Sequence, residues 1–298
     1  MGMSPTLSSA LGPLASAVDD DVRDLCVTGD GQVWRNDGRG FVTTNIIVDP
    51  REARRIGVGL VETAGGRVDD ARPLGDAALA GQVRVHVVLP PVARDGAIVT
   101  LRFPRHIPVT IEDYRLDSEW DWGELVNQSI LITGATGSGK TTLLELLMSR
   151  IPTTERVLVI EDIPEISPRH PHAVFLCTRV ANAEGSGQVA MGALVRESLR
   201  MSPDRIVLGE VRGAEIIDLL LALTAGHPGL SSLHARTLDE VPERLTALGM
   251  IAGCDPVTIA RLATVAFDRI IHCERTESGI RLSKGVLRRV GDALEMLR

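Results

Sequence analysis

Hydrophobic and polar positions follow two different rhythms along this chain. From Val18 to about Arg105, short alternating runs are broken by turn residues. Asn36-Asp37-Gly38 separates Gln32-Val33-Trp34 from Phe41-Val42-Thr43-Thr44, which predicts a hairpin. Pro50 to Ala64 predicts a helix with Ile56, Val58, Leu60 and Val61 on its apolar face, Asp49 at the N-cap and Pro50 at the first position. Gln82 to Leu89 alternates as a strand, and Arg94-Asp95-Gly96 turns into a further strand from Ile98 to Phe103. From about Gly123 the rhythm changes. The apolar runs at 129–133, 157–160 and 205–208 predict buried parallel strands, with helical segments between them. Thr237 and Glu240 have the spacing of a capping box for a helix from about Leu238. Arg269 to Val290, divided by Ser278-Gly279, predicts a closing hairpin.

These rhythms divide the chain into a flexible lead (1–17), an α+β domain (18–105), a proline-containing linker (106–122) and an α/β domain (123–298). At 298 residues, 44% hydrophobic and 24% charged, the chain can build two sizeable cores, made mainly of aliphatic side chains because aromatics are only 3%. The net charge of −7 and pI near 5.6 argue against a broad nucleic-acid-binding face. The four cysteines, Cys26, Cys177, Cys254 and Cys273, form no C-x-x-C pair, so no structural zinc is expected and scattered thiols in a reducing compartment are. No signal peptide or membrane span is visible, and a cytoplasmic protein is expected.

Chemistry enters at Gly134-Ala135-Thr136-Gly137-Ser138-Gly139-Lys140-Thr141-Thr142, which fits G-x-x-x-x-G-K-[ST] between a predicted strand and a predicted helix. Glycines let the backbone wrap a phosphate with its N–H groups inward, and the helix dipole favours the anion. Lys140 brings a point charge to the β- and γ-phosphates of ATP, and the Thr141 hydroxyl suits Mg²⁺. Only one other lysine, Lys284, occurs in the chain.

Hydrolysis also needs an oriented water and compensation of γ-phosphate charge. Three segments can supply them. Glu161 and Asp162 end the run Val157 to Ile160, at the side of an open sheet where ligands bind. Glu210 follows Gly209 at the end of Arg205 to Leu208, a position suited to a base or water holder, or to pairing with Arg212. His227 and His234 flank a Gly-containing turn and a short apolar strand. Arg84, Arg102, Arg196, Arg200 and Arg212 are candidates for γ-phosphate contact in cis or from a neighbour, each set against an ordinary surface ion pair.

Taken together, the phosphate loop, IEDIPE, LVRESLRMSPDRIVLGEVRGAE and TAGHPGLSSLHA resemble, in that order, the Walker A, acidic box, Gly-Glu Walker B and His box of the type II/type IV secretion ATPase superfamily. The pattern is most like its tight-adherence (Flp) pilus and conjugal-transfer-associated branch, to which 171–185, 69–74 and 83–91 are also similar. Two departures stand out: His234-Ala235-Arg236 replaces the branch's His-Ala-Asn, and the four-cysteine zinc module of some relatives is missing.

The resemblance implies a P-loop NTPase (RecA-like) C-terminal domain with a smaller α+β N-terminal domain. It implies a hexameric ring that hydrolyses ATP with Mg²⁺ at subunit interfaces and sits on the inner membrane through a platform protein. It gives Glu161 Mg²⁺ or water contacts, Glu210 the role of catalytic base, His234 a place near phosphate, and Arg102 and Arg84 closure over the nucleotide. Pilus assembly or secretion is the implied work. A conjugal DNA motor and a non-hydrolysing, nucleotide-gated scaffold are the alternatives.

Overall fold

A computed structural model describes residues 5–79, 83–103, 110, 113–116, 120–168, 170–181, 186–276 and 279–297. The expected features at Gln82, Ser278, Asn182-Ala183-Glu184-Gly185 and most of the linker lie outside these residues. The chain divides into two compact units, Met1–Ile107 and Pro108–Arg298.

The first unit begins with α1 (Pro5–Leu11) and a 3-10 turn (Gly12–Ala17). The lead expected to be flexible is therefore structured where it is described. Leu7, Leu11 and Leu14 repeat at helical spacing and are buried in the unit's core, which gives this stretch its reason to order. Six strands follow: β1 (Asp24–Val27), β2 (Gln32–Asn36), β3 (Phe41–Ile47), β4 (Leu74–Ala78), β5 (Arg84–Val88) and β6 (Ile98–Arg102). Their order is β3-β2-β1-β6-β5-β4. Between β3 and β4 lies α2 (Pro50–Thr63), capped by the Asp49 carboxylate, which accepts the Arg51 N–H at 2.9 Å. Ile56, Leu60 and Val61 of α2 share a core with Val85, Val87, Val99 and Leu101. The Asn36-Asp37-Gly38 turn joins β2 to β3 as expected, with Asn36 opposite Phe41. β4, with the sequence LGDAA, has no apolar alternation to announce it.

In the second unit, β7 (Tyr114–Leu116) and α3 (Trp122–Val126) precede β8 (Ile130–Gly134) and α4 (Lys140–Met148). Then come β9 (Val157–Glu161), β10 (Ala173–Cys177), α5 (Met191–Ser198), β11 (Arg205–Val211), α6 (Glu215–Thr224) and β12 (Gly229–His234). The chain closes with α7 (Val241–Ile251), α8 (Pro256–Ala266), β13 (Arg269–Thr276), β14 (Gly279–Val290) and β15 (Ala293–Leu297). The sheet order is β10-β9-β11-β12-β8-β13-β14-β15, with β7 beside β14. From β10 to β13 every neighbouring pair is parallel; β13, β14 and β15 are antiparallel.

Both faces of the parallel part are covered. Leu131, Ile160, Ile206 and Leu208 face a core shared with α6, α7 and α8, while Ile130, Ile132, Val159 and Val207 face one shared with α3 and α4. Arg205 is the buried exception in its run: it pairs with Glu155 at 2.5 Å and donates to the Val126 carbonyl. The capping box expected at Thr237 and Glu240 does not form. A 3-10 turn intervenes, Thr237 makes no side-chain cap, and Glu240 instead accepts the Arg236 N–H at 2.9 Å and pairs with its guanidinium at 3.1 Å. The helix starts one turn later, at Val241.

Candidate nucleotide site

The loop after β8 is shaped by glycines that nothing else can replace. Gly134, Gly137 and Gly139 have φ of 151°, 72° and 98°. A Cβ at Gly134 would stand 2.4 Å from Ser138 Oγ and 2.5 Å from the Cys273 carbonyl; one at Gly139 would stand 2.6 Å from Ile280 Cδ1. Ser138 is buried and its hydroxyl has no partner among the described residues. An unpartnered buried hydroxyl in a loop at the N-terminus of α4 fits a phosphate oxygen as its missing acceptor. Lys140 Nζ donates to the carbonyls of Gly134 and Ala135, each at 3.0 Å. Burial lowers the lysine's pKa, and the Glu210 carboxylate is the largest influence that opposes this.

Acids gather at the same carboxyl ends. Glu161 closes β9, and its Oε1 accepts the N–H groups of Glu165 and Ile166, both at 2.9 Å. Burial outweighs those bonds and pushes the carboxyl up to about 7. Between Leu208↔Ser231 and Val211↔Leu233, β11 carries one more residue than β12, a bulge that re-aims the segment Gly209-Glu210. A Cβ at Gly209 would stand 3.1 Å from Glu161 Cγ, so the glycine before the acid gives Glu161 its place against β11. Ser232 Oγ ties the bulge down with a 2.7 Å bond to the Gly209 carbonyl. Glu210 pairs with Arg212 at 2.5 Å, and the Arg212 N–H is itself held by Glu215 at 2.6 Å. Asp162 accepts the Thr178 hydroxyl at 2.5 Å. His234 lies opposite Gly134 in the β12/β8 register. Thr141 and Thr142 open α4 in its half-buried first turn. Mg²⁺ needs few protein donors when phosphates and water complete its shell; Thr141 at the start of α4, and Glu161 and Glu210 at the ends of β9 and β11, would offer oxygen donors on that side of the sheet.

The residues expected from sequence separate accordingly. The loop 134–142, Glu161, Asp162, Glu210, Arg212 and His234 share the carboxyl-terminal side of the sheet. His227 does not. It precedes β12, and its Nδ1 lies 3.2 Å from the Pro203 carbonyl just before β11. Six strand residues at roughly 3.3 Å each put it about 20 Å from the phosphate loop. Arg200 is at that same far side, paired with Glu197 at 2.6 Å. Arg196 is engaged by Asp218 of α6 at 2.7 Å. Arg84 and Arg102 belong to the first unit, where they face each other across β5 and β6. Arg102 pairs with Asp24 at 3.0 Å, and Arg84 lies 3.9 Å from Asp76.

Sequence reasoning missed two residues of β13. His272 Nδ1 is bonded to Thr133 Oγ1 at 2.9 Å, and Arg275 Nε donates to the Gly137 carbonyl at 2.9 Å. Both bonds span more than 130 residues, and only the parallel pairing of β13 with β8 creates them. No local pattern marks them.

A sequence profile of the type II/IV secretion system protein family matches residues 76–291, most of the chain. The chain belongs to that family. A putative conjugal transfer protein of Mycobacterium tuberculosis (strain ATCC 25618 / H37Rv) is 40% identical over 292 residues, covering 93% of this chain and 82% of that protein. The type IV secretion system protein VirB11 of Brucella suis biovar 1 (strain 1330) is 30% identical over 276 residues, covering 80% and 76%. Among solved structures, the pilus retraction motor PilT with bound ADP superposes with a TM-score of 0.68 at 19% identity, covering 91% of this chain and 80% of that one, a likeness of fold. Membership of this secretion family and an intact phosphate loop on a RecA-like sheet make the chain a nucleotide-binding ATPase. Among the described residues no helix is long and apolar enough to cross a membrane, and no three His, Cys, Asp or Glu cluster as a metal site.

Proposed function

We propose that this secretion-family ATPase hydrolyses Mg²⁺-ATP as a hexameric motor in the cytoplasm, docked on a membrane platform, and drives assembly of a pilus of the tight-adherence type or export through a secretion system. The observation that carries the reading is the meeting of Lys140, Glu161 and Glu210 at the carboxyl ends of β8, β9 and β11. The loop and Lys140 bind the phosphates. Thr141 and Glu161 would hold Mg²⁺, which when bound would offset charge on the phosphate oxygens. Glu210 accepts a proton from the attacking water. Arg212, paired with it at 2.5 Å, holds the carboxylate in place. His234, next to Gly134, faces the phosphate side. Arg102 and Arg84 complete a neighbouring subunit's site, so that nucleotide turnover moves the N-terminal unit of one subunit against the next.

Glu210→Gln is the direct test. ATP binding is expected to persist while kcat falls about 10²- to 10⁴-fold, the usual worth of a positioned base. Normal turnover in that variant would remove Glu210 from its role. Turnover across a dilution series, with mass followed by light scattering, tests the ring. Activity per subunit that falls as a hexamer dissociates supports shared sites, and constant activity down to the monomer sinks them. Because one relative is a putative conjugal transfer protein, single-stranded DNA belongs in the same assay; strong stimulation by it would replace the pilus reading with a DNA motor.

A further inference from the structure

The arginines that the motifs single out are all engaged by carboxylates: Arg84 by Asp76, Arg102 by Asp24, Arg196 by Asp218, Arg200 by Glu197 and Arg212 by Glu210. Arg275 is different. Its Nε donates to the carbonyl of Gly137, at the apex of the phosphate loop. The hairpin that carries it also meets the loop and its entering strand elsewhere. His272 bonds Thr133 on the strand entering the loop, and Ile280 of β14 lies beneath Gly139, where the loop becomes α4.

The bond to Gly137 has a directional consequence. The Gly137 carbonyl and the Ser138 N–H belong to one planar trans peptide and point opposite ways. Holding the carbonyl on the hairpin side turns the Ser138 N–H to the other side. There it meets the Ala135 carbonyl at 3.2 Å, the oxygen that Lys140 Nζ also reaches. The N–H and the lysine thus converge on one acceptor, the Ala135 carbonyl, whose place a phosphate oxygen would take. Packing does not fix this peptide, since a Cβ at Gly137 would meet nothing within 4 Å. Glycine at φ 72° leaves the apex free to turn, and among the described residues two bonds hold this peptide: the Ser138 N–H to the Ala135 carbonyl from within the loop, and Arg275 to the Gly137 carbonyl from the hairpin.

We propose that Arg275 is a positioning residue for nucleotide binding, which pins the Gly137–Ser138 peptide so that the Ser138 N–H is presented to a phosphate oxygen. This rests on the reading of the loop as the ATP site. It assigns to the β13–β14 hairpin the task of presetting the loop within the same subunit.

The experiment uses the full chain with the fluorescent analogue mant-ATP for affinity and steady-state turnover for KM and kcat. Arg275→Ala is expected to raise Kd and KM about tenfold, the worth of one charge-assisted hydrogen bond, while kcat changes less than about threefold. Arg275→Lys, which keeps a charged donor, is expected to recover most of the affinity. An unchanged Kd in a natively melting Arg275→Ala would overturn the proposal. So would a fall in kcat at constant Kd, which would give Arg275 a direct part in the reaction. Should Arg275→Ala fail to fold, the comparison runs on Arg275→Gln and Arg275→Lys with the same criteria. Lys140→Ala separates the two levels: a folded Lys140→Ala that binds mant-ATP normally would bring down the ATP-site reading, whatever Arg275 does.

Discussion

In the first unit every neighbouring pair of strands is antiparallel, whereas six strands of the second unit run parallel under helices on both faces. The burial patterns follow. β5 and β6 alternate buried with accessible positions, while β8 and β9 are buried at every position and β12 at all but its last. A strand buried on both faces tolerates polar side chains chiefly where it ends. Glu161, Glu210 and His234 therefore stand out from their runs, and their places at strand ends are the places where ligands reach an open parallel sheet. In β5 and β6 every second residue is accessible, so Arg84 and Arg102 look like any other surface arginine. The same element of structure exposes function in one unit and conceals it in the other.

The sharpest way to break this contrast is Arg102→Ala. As a surface pair with Asp24, the side chain contributes at most about 1 kcal/mol to stability. As an arginine completing a neighbour's site, it is worth roughly 10³-fold in kcat. The expected outcome is a nearly unchanged melting temperature with a collapse of turnover, and mixing with Glu210→Gln subunits should restore part of the activity if the sites are shared. Turnover within about twofold of the parent would return Arg102, and with it the alternating sheet, to a purely structural part.

How far the fold could be read from the sequence depends on the same contrast. The parallel strands, the phosphate loop and the final hairpin announce themselves as apolar runs and glycine spacing. β4 has little apolar content and stayed hidden. The lead carries a helical stripe in Leu7, Leu11 and Leu14, yet a short Ser- and Pro-containing segment shows no partner for that stripe in its own sequence, and its order comes from the core it joins. In the site, the acids were legible and the hairpin's contribution was not. Arg275 and His272 act on residues 138 and 139 positions away, a relation that exists only after β13 pairs with β8. His227 shows the reverse error: adjacency in sequence placed it with His234, but a whole strand separates them.

Two core truncations put the lead and the central strand on one scale. Leu11 and Leu131 are both fully buried, and replacement of either by alanine is expected to cost about 3 kcal/mol. Denaturant unfolding would measure each. If Leu11→Ala costs under about 0.5 kcal/mol, the N-terminal helix is dispensable and the first unit's core begins at β1. Gly209→Ala is a smaller perturbation. Its Cβ would press on Glu161 Cγ from 3.1 Å, and the acid must shift by a few tenths of an ångström. Stability is expected to fall by about 1 kcal/mol, with a larger proportional loss in turnover because Glu161 packs against the bulge that carries Glu210. A variant with lowered stability and normal kcat would separate the bulge from the chemistry.

The smallest effect concerns His272, and its sign is fixed by burial. Burial in β13 lowers its pKa; the carboxylates of Glu274 and Glu240 and the Arg236 carbonyl work against that shift, and the Lys140 ammonium adds to it. The folded protein thus binds this proton less readily than the unfolded chain, in which histidine titrates near 6.5. The stability it contributes is present above that value and is lost as the pH falls through it. His272→Gln can keep a hydrogen bond to Thr133 Oγ1 while removing the titration. Between pH 7.5 and 5.5 the parent should therefore lose about one or two degrees more of melting temperature than the variant, while the carboxylates common to both cancel. Equal losses would show that His272 does not titrate differently in the two states. A smaller loss in the parent would reverse the sign and make the imidazole a cation held by Glu274 and Glu240, with its proton available to the strand that enters the phosphate loop.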